Sequence, residues 1–331
     1  MNDRLVKDIG EWGLLQKLKS FCSQDIIGDD AAILAIEPDK SLVVTTDVLV
    51  DGVHFSDRTT RAFDVGWRAA AANLSDLAAM GAEPIGITVG LSLPGEVSVD
   101  WVEELYRGLS ACLNPHQTPI IGGDLCRSSL VTLAITALGQ VVPERAILRS
   151  NARVGDAIVI TGYHGLSKAG LELLLDRELG ANLSPQEREL LVRAHRQPQP
   201  RFEVISLLNK IAPEARIAGM DTSDGLGDAV VQICRASGVG ATIDLARLPV
   251  SPLLQKLVTP DLALQWQFYG GEDFELVLCL PREIASSLVP KLGLGAAIIG
   301  RISSETNCQL IDSNLGTKIE ILNLNEGFQH F

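Results

Sequence analysis

The clearest hydrophobic pattern in the chain lies at residues 41–50, SLVVTTDVLV, where β-branched residues dominate and a strand is predicted. The following stretch at 64–80, DVGWRAAAANLSDLAAM, reads as a helix with Asp64 as its N-cap, Gly81 at C′ and Pro84 just beyond. Strand-like segments follow at 85–93, 118–121 and 130–141, with a helix near 99–113 between the first two. Around residue 150 the chain turns polar (RSNARVGD) and starts again with a strand, AIVIT, at 157–161. Helices are predicted at 166–179 and 225–237, and strands near 240–245, 274–280 and 296–300, with RQPQPR at 196–201 as an interruption. This alternation predicts an α/β (α+β) chain rather than a bundle or a sandwich. It falls into two domains of similar size, 1–148 and 149–331, with no short internal repeat.

Composition narrows the class. Hydrophobic residues make up 46% and charged residues 21% of the 331, an ordinary globular mixture. No apolar run reaches the roughly 18 residues of a membrane span, and the N-terminus lacks a signal-peptide core, so no membrane partner is expected. The six cysteines sit singly without C-x-x-C spacing, which predicts reduced thiols and a cytoplasmic location. A net charge of −13 leaves no basic stripe for phosphate backbones and excludes nucleic acid as an expected partner.

Part of that acid is not spread along solvated faces. Five places pair aspartate with glycine or with an expected strand end: GDD at 28–30, TTD at 45–47, GGD at 122–124, DTSDG at 221–225 and GGED at 270–273. A sixth aspartate, Asp76, shares a helical stripe with Ala69, Ala72, Asn73 and Met80, so it projects from a face of mostly small residues. Taken singly, GDD and GGD read equally well as turns, Asp224 as the N-cap of the next helix, and Asp76 as an ion-pair partner. Together, carboxylates and hydroxyls gathered at strand ends are the hard oxygen ligands that Mg²⁺ takes, shared with phosphates and water. The five histidines (His54, His116, His164, His195, His330) are scattered, and neither H-E-x-x-H nor G-x-S-x-G occurs. No P-loop or dinucleotide fingerprint is present either. GYHGLSKAG at 162–170 comes nearest to a P-loop, but its lysine is misplaced.

In order and spacing, GDDAA, TTD–V–DG–HF, NLSDLAAMGA, IGGD, DTSDG and GGEDFEL resemble the thiamine-monophosphate kinases, members of the aminoimidazole-ribonucleotide synthetase-like superfamily of ATP enzymes. The resemblance runs from EWGLL near the N-terminus to GFQHF at the end. It implies a two-domain fold of mixed sheets flanked by helices, ATP as co-substrate, several Mg²⁺ ions, and a homodimer whose N-terminal domains pair their sheets. It also implies phosphorylation of thiamine monophosphate to the diphosphate. Position by position, Asp30, Thr45, Thr46, Asp47, Asp76, Asp124, Asp221 and Asp224 resemble metal ligands. Tyr106, Gly123, Asp124, Arg149 and Ser223 resemble ATP contacts, and His54, Glu272 and Phe328 resemble contacts to thiamine phosphate. Phe328 stands where many members carry Trp, and Leu148-Arg149-Ser150-Asn151 where they carry Thr-Arg-Ser-Gly.

Without the resemblance, Tyr106 reads as helix core, His54 as a loop histidine, Arg149 as a solvated charge and Phe328 as tail packing. Three other functions share parts of the pattern: a sister ATP enzyme of the superfamily, a metal-dependent phosphatase, and a cation-binding protein without catalysis. For phosphoryl transfer, a phosphate acceptor is already deprotonated near neutrality, so no catalytic base is expected.

Overall fold

The run SLVVTTDVLV forms a single ten-residue strand, β1 (Ser41–Val50), at one edge of a four-stranded sheet. A computed structural model of the chain describes residues 4–176, 178–315 and 317–322. Two units emerge, Met1–Leu77 with Ala82–Val141, and Ala78–Gly81 with Val142–Phe331.

In the first unit α1 (Val6–Leu18, broken at Gly10) precedes β1, followed by α2 (Ala62–Ala79), β2 (Glu83–Leu93), α3 (Val99–Leu113), β3 (Ile120–Arg127) and β4 (Thr132–Val141). The sheet order is β1-β4-β2-β3, with β2 and β3 parallel and the other pairs antiparallel. Alternate residues of each strand take opposite faces. Leu133, Ile135 and Ala137 of β4, with Ile87, Val89 and Leu91 of β2, are buried. On the other face of β1, Leu42, Val44 and Val48 stay exposed at 45%, 56% and 46%. The helices α2 and α3 meet backbone to backbone. A Cβ on Gly66 would overlap Leu105 O, and one on Gly108 would overlap Phe63 O. Ser98 caps α3, its side chain accepting from Trp101 N–H.

Two expectations change here. Helix α2 starts at Ala62, so Asp64 lies in the first turn rather than at the N-cap; the helix dipole favours a carboxylate at either position. The GGD triplet lies inside β3 and not in a turn.

The second unit holds β5 (Ala157–Ile160), α4 (Leu166–Leu175), α5 (Pro185–Arg196), α6 (Phe202–Ile211), β6 (Ala218–Asp221), α7 (Leu226–Ser237) and β7 (Gly240–Asp244). It continues through α8 (Pro252–Leu257), α9 (Pro260–Tyr269), β8 (Leu276–Leu280), α10 (Arg282–Leu288), β9 (Ala297–Ser303), β10 (Cys308–Asp312) and β11 (Thr317–Ile321). The strand order is β11-β10-β7-β9-β5-β8-β6, with only the β10–β7 pair parallel. This sheet is covered on both sides. Ile158 and Ile160 of β5 pack with α7, whereas Ala157 and Val159 pack with α6 and α10. A third apolar cluster joins α4, α5, α8 and α9 through Leu173, Leu191, Leu254 and Trp266. All six cysteines are free, and among the described residues no helix is long and apolar enough to cross a membrane.

The glycine contact between α2 and α3 gives a direct stability test. We expect Gly108→Ala to destabilise the protein by about 3 kcal/mol, because a methyl group against a helix carbonyl forces the two backbones apart. Alanine has the better intrinsic helix propensity, so an unchanged denaturant midpoint would show that the helices are not held in contact.

Candidate functional site

Strand β1 and helix α2 bring the first candidate residues together. Thr45 Oγ1 donates to Asp76 Oδ2 (2.5 Å), and the backbone N–H of Asp47 donates to Asn73 Oδ1 (3.2 Å). Residues two apart on a strand share a face, and residues three apart on a helix do so too. Thr45, Asp47 and Asp76 therefore form one oxygen-rich patch where β1 meets α2. The fully buried Asn73 braces it, its Nδ2 donating to Ala69 O (3.0 Å).

Thr46 is not brought to that patch. The pleat turns it to the open face, where its Oγ1 lies 2.9 Å from Thr136 Oγ1. Asp124 shares the open face, through the register Asp124–Gly90 and Gly90–Ala134. Gly123 has a packing reason to be glycine, because a Cβ there would overlap Val89 O on the neighbouring parallel strand. Asp30 lies in an exposed bend, and the apolar residues after it stay largely unburied. Ile33 is 94% exposed, and residues 28–36 form neither helix nor strand. Apolar residues without a period give a segment no face to bury.

His54 sits in the turn after β1. Its Nδ1 accepts from Val50 N–H (3.0 Å), which puts the proton of the neutral ring on Nε2. Tyr106 takes the core position that its helix allows, 4% exposed with its ring 5.7 Å from that of Phe21, and burial pushes its hydroxyl pKa up. Among the described residues, no group of three or more His, Cys, Asp or Glu side chains is placed to hold a metal ion alone.

In the second unit the DTSDG and GGED segments are laced together. Thr222 N–H donates to Glu275 O (2.9 Å) and Glu272 N–H to Ser223 O (2.7 Å). Gly271 permits this approach, since a Cβ there would overlap Ser223 O. Asp221 ends β6 almost fully buried, and its Oδ1 accepts from Ser223 Oγ (3.1 Å). Asp224 is exposed in the turn. The N-cap of α7 is Gly225, with φ of 104° and no side-chain cap, so Asp224 precedes the cap and does not form it. Arg149 donates from Nη1 to Gln232 Oε1 on α7 (2.5 Å).

The aspartate of GGED, one of the acidic places noted in the sequence, finds its partners behind the turn. Asp273 is half-buried, and its two oxygens accept from Gly165 N–H (2.6 Å) and Ser167 N–H (2.8 Å) at the start of α4. Burial pushes its pKa up to about 7, the two N–H donors pulling the other way and the nearby Glu275 adding to the rise. Glu275 is itself raised by burial, against the pull of Arg201 at 3.2 Å. His164 is fully buried, and burial lowers its pKa to about 4. His195 is 2% exposed, with its Nδ1 3.2 Å from Ser167 Oγ and 3.8 Å from Glu272 Oε2. A signal for this arrangement does exist in the chain. GGED needs N–H donors that its own turn does not supply, and the Gly-rich opening of a helix at 162–167 supplies them. Phe328 lies outside the described residues.

The model for AIR synthase related protein, N-terminal domain, matches residues 28–141, and that for the C-terminal domain matches 153–313. The chain is 50% identical to thiamine-monophosphate kinase of Synechococcus elongatus over 334 aligned positions, covering 100% of this chain and 99% of the relative. The crystal structure of thiamine-monophosphate kinase from Stenotrophomonas maltophilia superposes with a TM-score of 0.80 at 36% identity, covering 91% and 96% of the two chains. The structure of AaThiL complexed with AMPPCP and TMP gives 0.76 at 31% identity, covering 98% of each chain.

The desolvated Asp273 carboxyl makes stability depend on pH in a direction opposite to most carboxylates. Between an unfolded value near 3.9 and a folded value near 7, the folded protein holds a proton that the unfolded chain has lost. Stability from this group is therefore complete below about pH 4 and falls as pH rises to 7, by up to ~1.4 kcal/mol per pH unit. We expect the advantage of wild type over Asp273→Asn, read from denaturant midpoints at pH 4.5 to 7.5, to shrink as pH rises. The buried His164 acts with the opposite sign but is common to both proteins, so it cancels in the difference. A difference independent of pH would show that Asp273 is ionised throughout.

Proposed function

The chain belongs to the thiamine-monophosphate kinases within the AIR synthase-related family, and on that premise we propose that it transfers the γ-phosphoryl group of ATP in line to the phosphate of thiamine monophosphate. The observation that carries this reading is the match along 98% of both chains to AaThiL complexed with AMPPCP and TMP. The acceptor oxygen is already deprotonated near neutral pH, so the protein's task is to bring two anions together in line rather than to activate a nucleophile.

The donor set fits Mg²⁺. Asp76, Thr45 and Asp47 offer hard oxygens on one face, with neither imidazole nor thiolate among them, and Mg²⁺ is usually held by one or two carboxylates with phosphate and water. When bound, Mg²⁺ supplies neutralisation of phosphate charge. We assign Asp30, Thr46, Asp124, Asp221 and Asp224 to further metal contacts. In this reading Thr46 and Asp124, on the open face, serve a different ion from the one at Asp76. Arg149, Gly123, Ser223 and Tyr106 are assigned to the nucleotide, and His54, Glu272 and Phe328 to thiamine phosphate. Residues 1–148 then bind ATP and metal and form the dimer contact, and 149–331 complete the enzyme. Six free cysteines suit a cytoplasmic enzyme.

Formation of thiamine diphosphate from thiamine monophosphate and ATP tests the reading directly. We expect Asp76→Asn to lower that rate at least about a hundredfold, since it removes an oriented charge from the transferring groups. Stability should change by no more than about 1 kcal/mol, the worth of one hydrogen bond from Thr45. A variant that melts far below wild type yet turns over normally would make Asp76 structural.

The exposed apolar residues Leu42, Val44 and Val48 support a homodimer joined through the open face of the four-stranded sheet. We expect the protein to sediment as a dimer at micromolar concentration, and Val44→Asp with Val48→Asp to sediment as a monomer with reduced activity. A wild-type monomer at the same concentration would rule this dimer out.

A further inference from the structure

Glu272 has an unusual setting for a residue assigned to substrate. It adopts φ of 68°, in the left-handed region that non-glycine residues seldom occupy, and Phe274 does the same at 51°. Between them, Asp273 is anchored on the amides of Gly165 and Ser167, and the backbone N–H of Glu272 is tied to Ser223 O. The turn is thereby held in a strained conformation that aims one side chain.

That side chain keeps a third of its surface open, while its Oε2 faces the ring of His195, whose side chain is 3% exposed. The ring is fixed from two sides. Ser167 Oγ lies 3.2 Å from its Nδ1, and helix α5 carries it close against α4, where a Cβ on Gly170 would meet His195 Cβ at 2.9 Å. With the proton on Nδ1 the ring donates toward both neighbours, Ser167 Oγ accepting at 3.2 Å and Glu272 Oε2 standing 3.8 Å away, a separation that a shift of less than about 1 Å closes to a hydrogen bond.

We infer that His195, seated by Ser167, is a positioning residue that holds the Glu272 carboxylate for the linked thiazolium and aminopyrimidine rings of thiamine monophosphate. The chemistry matches on both sides. The thiazolium ring carries a fixed positive charge and the pyrimidine an amino donor, and a carboxylate restrained at one oxygen meets either at a lower entropic cost than a mobile one. The motif GYHGLSKAG then has a role unrelated to phosphate loops, because its glycine-rich turn supplies the amides and the hydroxyl that lock the GGED turn. The inference rests on the reading of Glu272 as a contact to thiamine monophosphate.

The test is steady-state kinetics of the full chain with each substrate varied in turn. We expect His195→Leu to raise the KM for thiamine monophosphate about tenfold, the loss of one charge-assisted contact, with kcat and the KM for ATP within about twofold of wild type. His195→Asn, which keeps an N–H near the Nδ1 position, should recover most of that loss, and Ser167→Ala should reproduce part of it. Combined with Glu272→Gln, His195→Leu should add almost nothing, because both act through one contact. An equal rise in both KM values, or a full additional loss on top of Glu272→Gln, would assign His195 to the scaffold and overturn the inference while leaving the reading of Glu272 intact. If Glu272→Gln alone leaves the KM for thiamine monophosphate unchanged, the reading itself fails, and the inference with it. Should His195→Leu not fold, Ser167→Ala in the wild-type and Glu272→Gln backgrounds decides by the same comparison.

Discussion

One anchored carboxylate organises the chemistry of the second unit. Asp273 accepts from the first amides of α4, where the helix leaves N–H groups without internal partners and the dipole favours negative charge. Two residues in left-handed conformations flank it, each at a cost of about 1–3 kcal/mol that surrounding contacts must offset. Because the anchor also satisfies the helix end, the GGED turn and the start of α4 depend on each other. Around that joint the DTSDG turn adds its own ties to Glu272 and Glu275, so two loops distant in sequence hold one shape.

The first unit reaches a similar result through close backbone contact. Helix α2 is rich in alanine, and its Gly66 together with Gly108 of α3 lets the two helices lie at backbone distance. The same run of small residues leaves Asp76 close to β1, where the Thr45 hydroxyl meets it. Strand pleating then separates what the sequence sets side by side, with Thr45 and Asp47 on the helix-covered face and Thr46 on the open one.

What could be read from the chain follows from how local each signal is. The strand at 41–50, the helix ending at Gly81 and the helix at 99–113 carry their periodicity and caps within a few residues, and they appear where expected. GGD suggested a turn because glycine usually marks one; the actual requirement, contact with Val89 O, comes from a strand some thirty residues away and leaves no local trace. The strand LVLCL is buried on both faces and so lacks alternation, yet its unbroken apolar run places it where expected, near 274–280. Helix α5, PQERELLVRAHR, went unnoticed behind its charges, although Ser184 and Glu187 form a capping box at its start. His164 and His195 are scattered in sequence and looked unrelated; only the fold carries them to GGED. The acidic motifs themselves were legible, but their division between two faces of a sheet was not.

Strand β5 lies near the middle of the second sheet, paired with β8 and β9. It is among the first parts of that unit to leave the ribosome, whereas its partner β8 follows roughly 120 residues later, on the order of 10 s at common rates of synthesis. During that interval AIVI has neither neighbour, and its backbone and side chains are open to any extended chain nearby. The topology that buries β5 so completely in the finished enzyme therefore leaves both its edges unpaired for as long as the rest of the sheet takes to be made.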